Sequence, residues 1–255
     1  MKIKINTKYG QLSHLIERMP DLFEQEGKII FQGRNVIKSF VAHTSEGDMT
    51  LIVKRYKCPN FFQKIGYSFF RSTKACRAYE NALELRRRGF ATPEPYGYVE
   101  TRVKGLINYC YFISDVDYSH PISEQLNDQS AFNQVMAKDY ACFVARLHQK
   151  GILDIDLNSG NVLYQLQSDG HYAFSLIDIN RMKFYADGKF PPFSECMENL
   201  TRFTGRMDVF EYVAREYIKA RGMEVESTLE KMMYTKVKHD KKWEKKKNFL
   251  HHFKK

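Results

Sequence analysis

The sequence predicts an α+β fold in two lobes, with an antiparallel sheet and one helix first and a mostly helical half after it. Three observations carry this. Residues 27–32, 36–43 and 49–56 are short β-prone runs, the last two separated by the turn residues Ser45, Glu46, Gly47 and Asp48. After Ser72 or Thr73, either of which can cap a helix, Cys76, Tyr79, Leu83 and Arg87 recur at helical spacing until Gly89 ends the run. A longer helical pattern fills residues 130–150 and stops at Gly151.

Between the two helices, Thr92-Pro93-Glu94-Pro95 breaks the chain, and residues 96–102 and 106–113 form a hairpin about Lys104-Gly105. The polar stretch 115–121 then reads as a hinge. It divides the chain into an N-terminal lobe, residues 1–114, and a C-terminal lobe, residues 115–255, with a cleft at the hinge.

With 255 residues, 43% of them hydrophobic, the chain can bury a core of its own. No apolar run approaches the ~18 residues of a spanning helix, and the opening Met1-Lys2-Ile3-Lys4-Ile5-Asn6 lacks the apolar stretch of a secretory signal, so the expected location is cytoplasmic. Five cysteines (Cys58, Cys76, Cys110, Cys142, Cys196) contain no Cys-x-x-Cys pair and read as reduced filler rather than a zinc or redox centre. A formal net charge of +10 favours an anionic partner, whether nucleotide phosphates, nucleic acid or an acidic membrane surface.

The strongest chemical signal is Leu147-His148-Gln149-Lys150-Gly151-Ile152-Leu153-Asp154-Ile155-Asp156-Leu157-Asn158-Ser159-Gly160-Asn161. An Asp five residues before an Asn, in a loop leaving a buried helix, has the spacing of a phosphotransferase catalytic loop. There Asp156 accepts the proton of the acceptor hydroxyl and Asn161 binds metal. Leu176-Ile177-Asp178-Ile179-Asn180-Arg181 follows, placing Asp178 after a short apolar strand where its carboxylate can share a Mg²⁺ ion with Asn161 against the phosphates of ATP. Alone, each of these residues is an ordinary turn or strand-end residue. Their order in the chain points to chemistry.

Upstream, Lys54 ends the apolar strand Leu51-Ile52-Val53, and Glu80 lies in the middle of the following helix. Such a pair lets the glutamate hold the ammonium against the α and β phosphates. Gly33 and Asn35 occupy the place of a phosphate-covering turn and can offer backbone N–H groups, with an ordinary hairpin turn as the alternative. Backbone groups of Ser114, Asp115 and Val116 at the hinge can read the adenine edge. His148, at the buried end of its helix, is expected to make a structural hydrogen bond, leaving Asp156 as the base.

With these parts in place the chain resembles the lipopolysaccharide kinase family, the bacterial Kdo and heptose kinases of the protein-kinase-like superfamily, from about residue 27 to 221. The resemblance rests on Val53-Lys54-Arg55-Tyr56, on residues 74–82 leading into Arg88-Gly89-Phe90-Ala91-Thr92-Pro93, on the catalytic loop and on Ile177-Asp178-Ile179-Asn180-Arg181. It implies a protein-kinase-like fold and transfer of the ATP γ-phosphate to a sugar hydroxyl of the lipid A-linked core oligosaccharide at the cytoplasmic face of the inner membrane. The chain departs from the superfamily pattern in places. Asp154 and Ile155 replace the usual His and Arg, Asn180 replaces the glycine after the metal Asp, no Ala-Pro-Glu element follows, and only 77 residues remain after Asp178. Loop phosphorylation is therefore not expected to switch this enzyme.

Two stretches suit a lipid-bearing acceptor. Phe61, Phe62, Tyr67, Phe69 and Phe70 lie among Lys57, Lys64, Arg71 and Lys74, either as a membrane contact or as cover for the neighbouring helix. Residues 235–255 carry nine lysines against Asp240 and Glu244, with Trp243, Leu250 and Phe253 able to share one helical face. Solvated disorder is the alternative for that tail. Two further functional classes compete with the sugar kinase: an atypical protein or small-molecule kinase, and a pseudokinase or RNA-binding module. Nucleic acid is not the expected partner, because the set Lys54, Glu80, Asp156, Asn161 and Asp178 is intact.

Overall fold

The structure, a computed structural model, describes residues 1–45, 47–128 and 130–252. Glu46 of the expected turn and Phe253 of the tail lie outside them, as do the side chains of Leu250, His251 and His252. The chain forms two compact units, Met1–Tyr118 with Asp178–Asn180, and Ser119–Ile177 with the chain from Arg181 onward.

In the first unit β1 (Lys2–Ile5) leads through a 3-10 segment (Thr7–Leu12) into α1 (Ser13–Gln25). Then come β2 (Lys28–Gln32), β3 (Val36–Thr44), β4 (Gly47–Arg55), α2 (Phe61–Phe69), α3 (Lys74–Arg87), β5 (Pro95–Val103) and β6 (Leu106–Asp115). The six strands form one antiparallel sheet in the order β1-β5-β6-β4-β3-β2. The expectation that strands come first is corrected by α1. Leu12 just before it and Ile16, Met19 and Phe23 within it recur every three or four residues and bury against Leu51, Val53, Val99, Tyr111 and Ile113 of the sheet.

Strand periodicity then sets the position of Lys54. Because successive side chains alternate across a sheet, Leu51 and Val53 facing α1 leave Lys54 and Tyr56 to the opposite side. There Tyr56 packs with Ala75 and Tyr79 of α3 and with Tyr98 and Cys110. Thr73 caps α3 by accepting the Cys76 N–H, and its hydroxyl donates to buried Glu100 at 2.7 Å. The β5–β6 hairpin turns through Lys104 and Gly105, both with positive φ (49° and 80°), the backbone that a two-residue type I′ turn requires.

The second unit contains β7 (His120–Pro121), α4 (Ser123–Leu126), α5 (Gln134–Gln149), β8 (Ile152–Asp154), β9 (Val162–Leu166), β10 (Tyr172–Leu176), β11 (Met182–Phe184), α6 (Phe193–Leu200), α7 (Met207–Ala220) and α8 (Val225–His252). Two small sheets, β10-β9-β7 and β11-β8, flank the loop between β8 and β9. Helix α5 begins later than expected, where Asn133 accepts the Met136 N–H, and it buries Met136, Tyr140, Val144 and Leu147.

Helix α8 divides the lysine-rich tail in two. Leu229, Met232 and Lys236, spaced three and four apart, are buried. The Lys236 ammonium donates to Thr204 O at 2.6 Å, Thr201 O at 3.2 Å and Asp240 Oδ1 at 2.7 Å, which satisfies a buried charge. Trp243 and Phe249 further on are exposed. Among the described residues no helix is long and apolar enough to cross a membrane.

Candidate active site

The first unit gathers cations about one carboxylate. Lys54 Nζ lies 2.7 Å from Asp178 Oδ1. Asp178 adopts the left-handed conformation (φ 54°), which Asp tolerates better than most residues, and Asn180 Nδ2 donates to its Oδ1 at 2.7 Å. Helix α3 holds this segment through two side chains one turn apart. Arg77 Nε donates to Asn180 O at 3.1 Å and Asn81 Nδ2 to Ile179 O at 2.7 Å. The ammonium groups of Lys54 and Lys74 lie 5.3 and 5.9 Å from the centre of the same Tyr56 ring. Burial, with the neighbouring Arg34 and Arg77 charges, holds Lys74 below the ordinary lysine range, while Asp178 opposes them.

The expected Lys54–Glu80 pair is not made. Lys54 pairs with Asp178, and Glu80 is exposed, with no ion pair among the described residues. The inward stripe of α3 is Ala75, Ala78, Tyr79, Ala82 and Leu85, and Glu80 lies beside it. The phosphate-turn expectation also changes. Gly33 N–H donates to Asn35 O at 3.0 Å, and Asn35 Oδ1 accepts the Lys57 N–H at 3.1 Å, so the turn spends the Gly33 donor on itself. At the hinge, Ser114 is buried in register between Ile52 and Pro95, and Asp115 N–H is spent on Glu94 O at 2.9 Å. Of the three residues expected there, Val116 has its N–H in a local bond, to Asp115 Oδ1 at 2.8 Å, for which a ligand can compete.

In the second unit the loop after β8 is built around Asp156. Its N–H donates to Asp154 Oδ1 at 3.0 Å. Its carbonyl accepts from the Asn158 N–H, Asn158 Nδ2 and Asn161 Nδ2 at 2.7, 3.0 and 3.0 Å. Arg181 Nη1 holds Asp156 Oδ1 at 2.9 Å, leaving Oδ2 without a partner among the described residues.

Behind the loop, Asn199 Nδ2 donates to Asp154 O at 2.6 Å, so its Oδ1 faces His148 Nε2 at 3.0 Å as the acceptor. His148 Nε2 therefore carries the proton. Nδ1 then accepts from the Tyr217 hydroxyl at 2.8 Å, which in turn accepts from Arg221 Nη1 at 2.7 Å. Burial lowers the His148 pKa to about 4, so the ring is neutral at neutral pH. His148 is thus structural, as expected. Sequence reasoning missed Asn199 altogether, placed Lys74 among the cations of the aromatic stretch rather than beside Lys54, and did not assign Arg181 its partner. Arg181 could have been found as the one cation in the Asp178 motif.

The donor chemistry suits a hard cation. Asp178 in the first unit and Asn161 in the second each carry oxygen donors of the kind Mg²⁺ takes, and Asn161 Oδ1 has no partner among the described residues. Those residues contain no cluster of three or more His, Cys, Asp or Glu able to enclose a metal.

The profile of the lipopolysaccharide kinase (Kdo/WaaP) family matches residues 25–191. A solved structure described as WaaP in complex with acyl carrier protein aligns with a TM-score of 0.63 at 12% identity, covering 96% of this chain and 99% of that one. At that identity the likeness shows the protein-kinase-like fold. The curated proteins yield no match. Because the family profile spans well over half of the sequence, the chain belongs to the lipopolysaccharide kinase (Kdo/WaaP) family.

Proposed function

We propose that this lipopolysaccharide kinase transfers the γ-phosphoryl group of ATP to a Kdo or heptose hydroxyl of the lipid A-linked inner core, using Asp156 as base and Lys54, Asp178 and Asn161 at the phosphates. The observation that carries the reading is the Lys54–Asp178 pair at 2.7 Å, with Asp178 in a left-handed conformation fixed by α3. A backbone held in a sparsely populated region by side chains of a neighbouring helix marks a residue positioned for use.

Each residue has a task its surroundings permit. Lys54, with Lys74 beside the same ring, offers positive charge to the α and β phosphates. Asp178 and Asn161 would hold Mg²⁺, which when bound neutralises phosphate charge during transfer. Asp156 takes the acceptor hydroxyl's proton on Oδ2 while Arg181 fixes Oδ1. Val116 and its neighbours read the adenine edge. The net charge of +10 and the lysines of α8 suit a peripheral position on the anionic cytoplasmic face of the inner membrane.

The test is ATP-dependent phosphate transfer to a delipidated inner-core oligosaccharide, followed by mass spectrometry. The wild-type chain should add one phosphate in a Mg²⁺-dependent reaction and Asp156→Asn should not. Transfer to protein or to a small-molecule alcohol, with none to the core sugar, would sink the acceptor assignment.

A further inference from the structure

Helix α2 turns its apolar side to solvent. Phe61, Phe62, Phe69 and the following Phe70 are 63, 82, 67 and 81% exposed, and no residue of the helix is fully buried. At 100° per residue, Phe61, Phe69 and Phe62 fall within about 100° of one another, a single stripe. The rings pair edge to face at each end of the helix, Phe61 with Phe62 at 5.9 Å and Phe69 with Phe70 at 6.4 Å between centroids.

The helix is nonetheless well anchored. Asn60 and Gln63 form a capping box at its start, Ser68 Oγ accepts the Ile107 N–H at 2.9 Å, and Cys58 Sγ lies 3.5 Å from Asn108 Oδ1. Loose packing is thus not the cause of the exposure. The alternative, that these aromatics cover the neighbouring helix, fails for the four phenylalanines. Residues 57–71 contain Lys57, Lys64 and Arg71 and no acid, and the exposed tip of the β5–β6 hairpin adds Arg102, Val103 and Lys104.

We propose that α2 is the element that docks this kinase on an anionic lipid surface, inserting Phe61, Phe62, Phe69 and Phe70 at the boundary between headgroups and acyl chains while the flanking cations meet lipid phosphates. Three exposed phenylalanines on one basic-flanked helix, with a fourth directly after it, match the chemistry of an interfacial helix. A second copy of the chain would bring the same cations against themselves, which disfavours self-association through this face. The proposal deepens the assignment of a lipid-linked acceptor and rests on it for its purpose, though vesicle binding tests it independently.

The experiment is co-sedimentation of the full chain with vesicles of phosphatidylglycerol and phosphatidylethanolamine, compared with phosphatidylcholine alone. The variants are Phe62→Ser/Phe70→Ser and Phe61→Ser/Phe69→Ser. Wild type should bind the anionic vesicles in a salt-sensitive way. Each double variant should bind roughly tenfold or more weakly, since burying one phenylalanine is worth about a factor of ten. The variants should keep the wild-type melting temperature and activity on the water-soluble oligosaccharide. Unchanged vesicle affinity in both variants overturns the proposal, as does wild type that binds neither vesicle. Loss of an acidic soluble protein partner, with vesicle binding intact, assigns the face to protein and likewise overturns it. If the oligosaccharide is not phosphorylated while vesicle binding responds as stated, the acceptor assignment fails and the docking surface stands.

Discussion

Acidification should loosen the catalytic loop through His148. The ring is fully buried, and burial lowers its pKa from an unfolded value near 6.5 to about 4. The folded state therefore takes up this proton later than the unfolded chain as pH falls. The stability it contributes is complete above pH 6.5, declines below that value and is lost once pH passes the folded pKa. At 1.36 kcal/mol per unit, the loss reaches about 3 kcal/mol near pH 4. Protonation also reverses the Nδ1 bond, since an imidazolium can only donate, toward a Tyr217 hydroxyl already accepting from Arg221. The strain passes through Asn199 to Asp154, whose carboxylate holds the Asp156 N–H. Urea unfolding of wild type and His148→Gln at pH 7 and pH 4 measures the effect, with the wild-type drop larger than the variant's by about 3 kcal/mol. Should the variant fail to fold, NMR titration of His148 in the wild type serves instead. A ring that titrates near 6.5, or identical drops in the two proteins, would refute the reasoning.

Five other substitutions and one deletion probe separate parts of the molecule. Asp156→Asn should lower turnover by on the order of 10² to 10⁴ with nucleotide affinity within a few-fold, measured by steady-state kinetics and nucleotide titration. Asp178→Asn retains a residue that accepts the left-handed backbone, so parallel losses of Mg-ATP affinity and turnover would report the missing charge. Lys54→Met should raise the ATP requirement whereas Glu80→Gln should leave it unchanged, and an equal defect in both would restore the pair the structure does not make. Deleting residues 241–255 should preserve the melting temperature, because Lys236 keeps its bonds to Thr201, Thr204 and Asp240, while Lys236→Met should lower the unfolding free energy by roughly 1–3 kcal/mol by leaving those acceptors unmet.

Much of this molecule is legible in its residues. Thr73, Gly89, Lys104-Gly105 and Gly151 act locally, so caps, stops and the hairpin turn follow from chain neighbours alone. The catalytic loop is legible for the same reason, since Asp156, Asn158 and Asn161 bond to one another within six residues. Helix α1 is different. Its apolar spacing was available, but Pro20 within it reads as a breaker, and burial against the sheet outweighs the one lost N–H. The partner of Lys54 was misread because an apolar strand fixes which side of the sheet a lysine faces but not which carboxylate reaches it. Two carboxylates, one on α3 and one 124 residues downstream of Lys54, were candidates. The exposure of α2 is likewise invisible in composition, which contains aromatics and cations but not the direction they face.

Neutral amides do most of the positioning around the charged groups. Asn81 holds Ile179 O, Asn180 holds the Asp178 carboxylate, Asn158 and Asn161 hold Asp156 O, and Asn199 joins His148 to Asp154. Asn180 stands where the superfamily has glycine. The structure gives the exchange a consequence, since glycine would have no group to fix Asp178 Oδ1 at 2.7 Å. An amide can donate and accept without adding net charge, so it fixes a carboxylate without competing for the cation that the carboxylate is to meet. Lysine or arginine in those places would neutralise Asp178 or repel a metal ion, and aspartate would repel phosphate. Net charge sits on Lys54, Lys74, Asp156, Asp178 and Arg181, the residues proposed to meet phosphates, metal or the acceptor proton. Fixed dipoles behind a few mobile charges are what phosphoryl transfer needs, because little bond-making falls to the protein and most of its contribution is position and field.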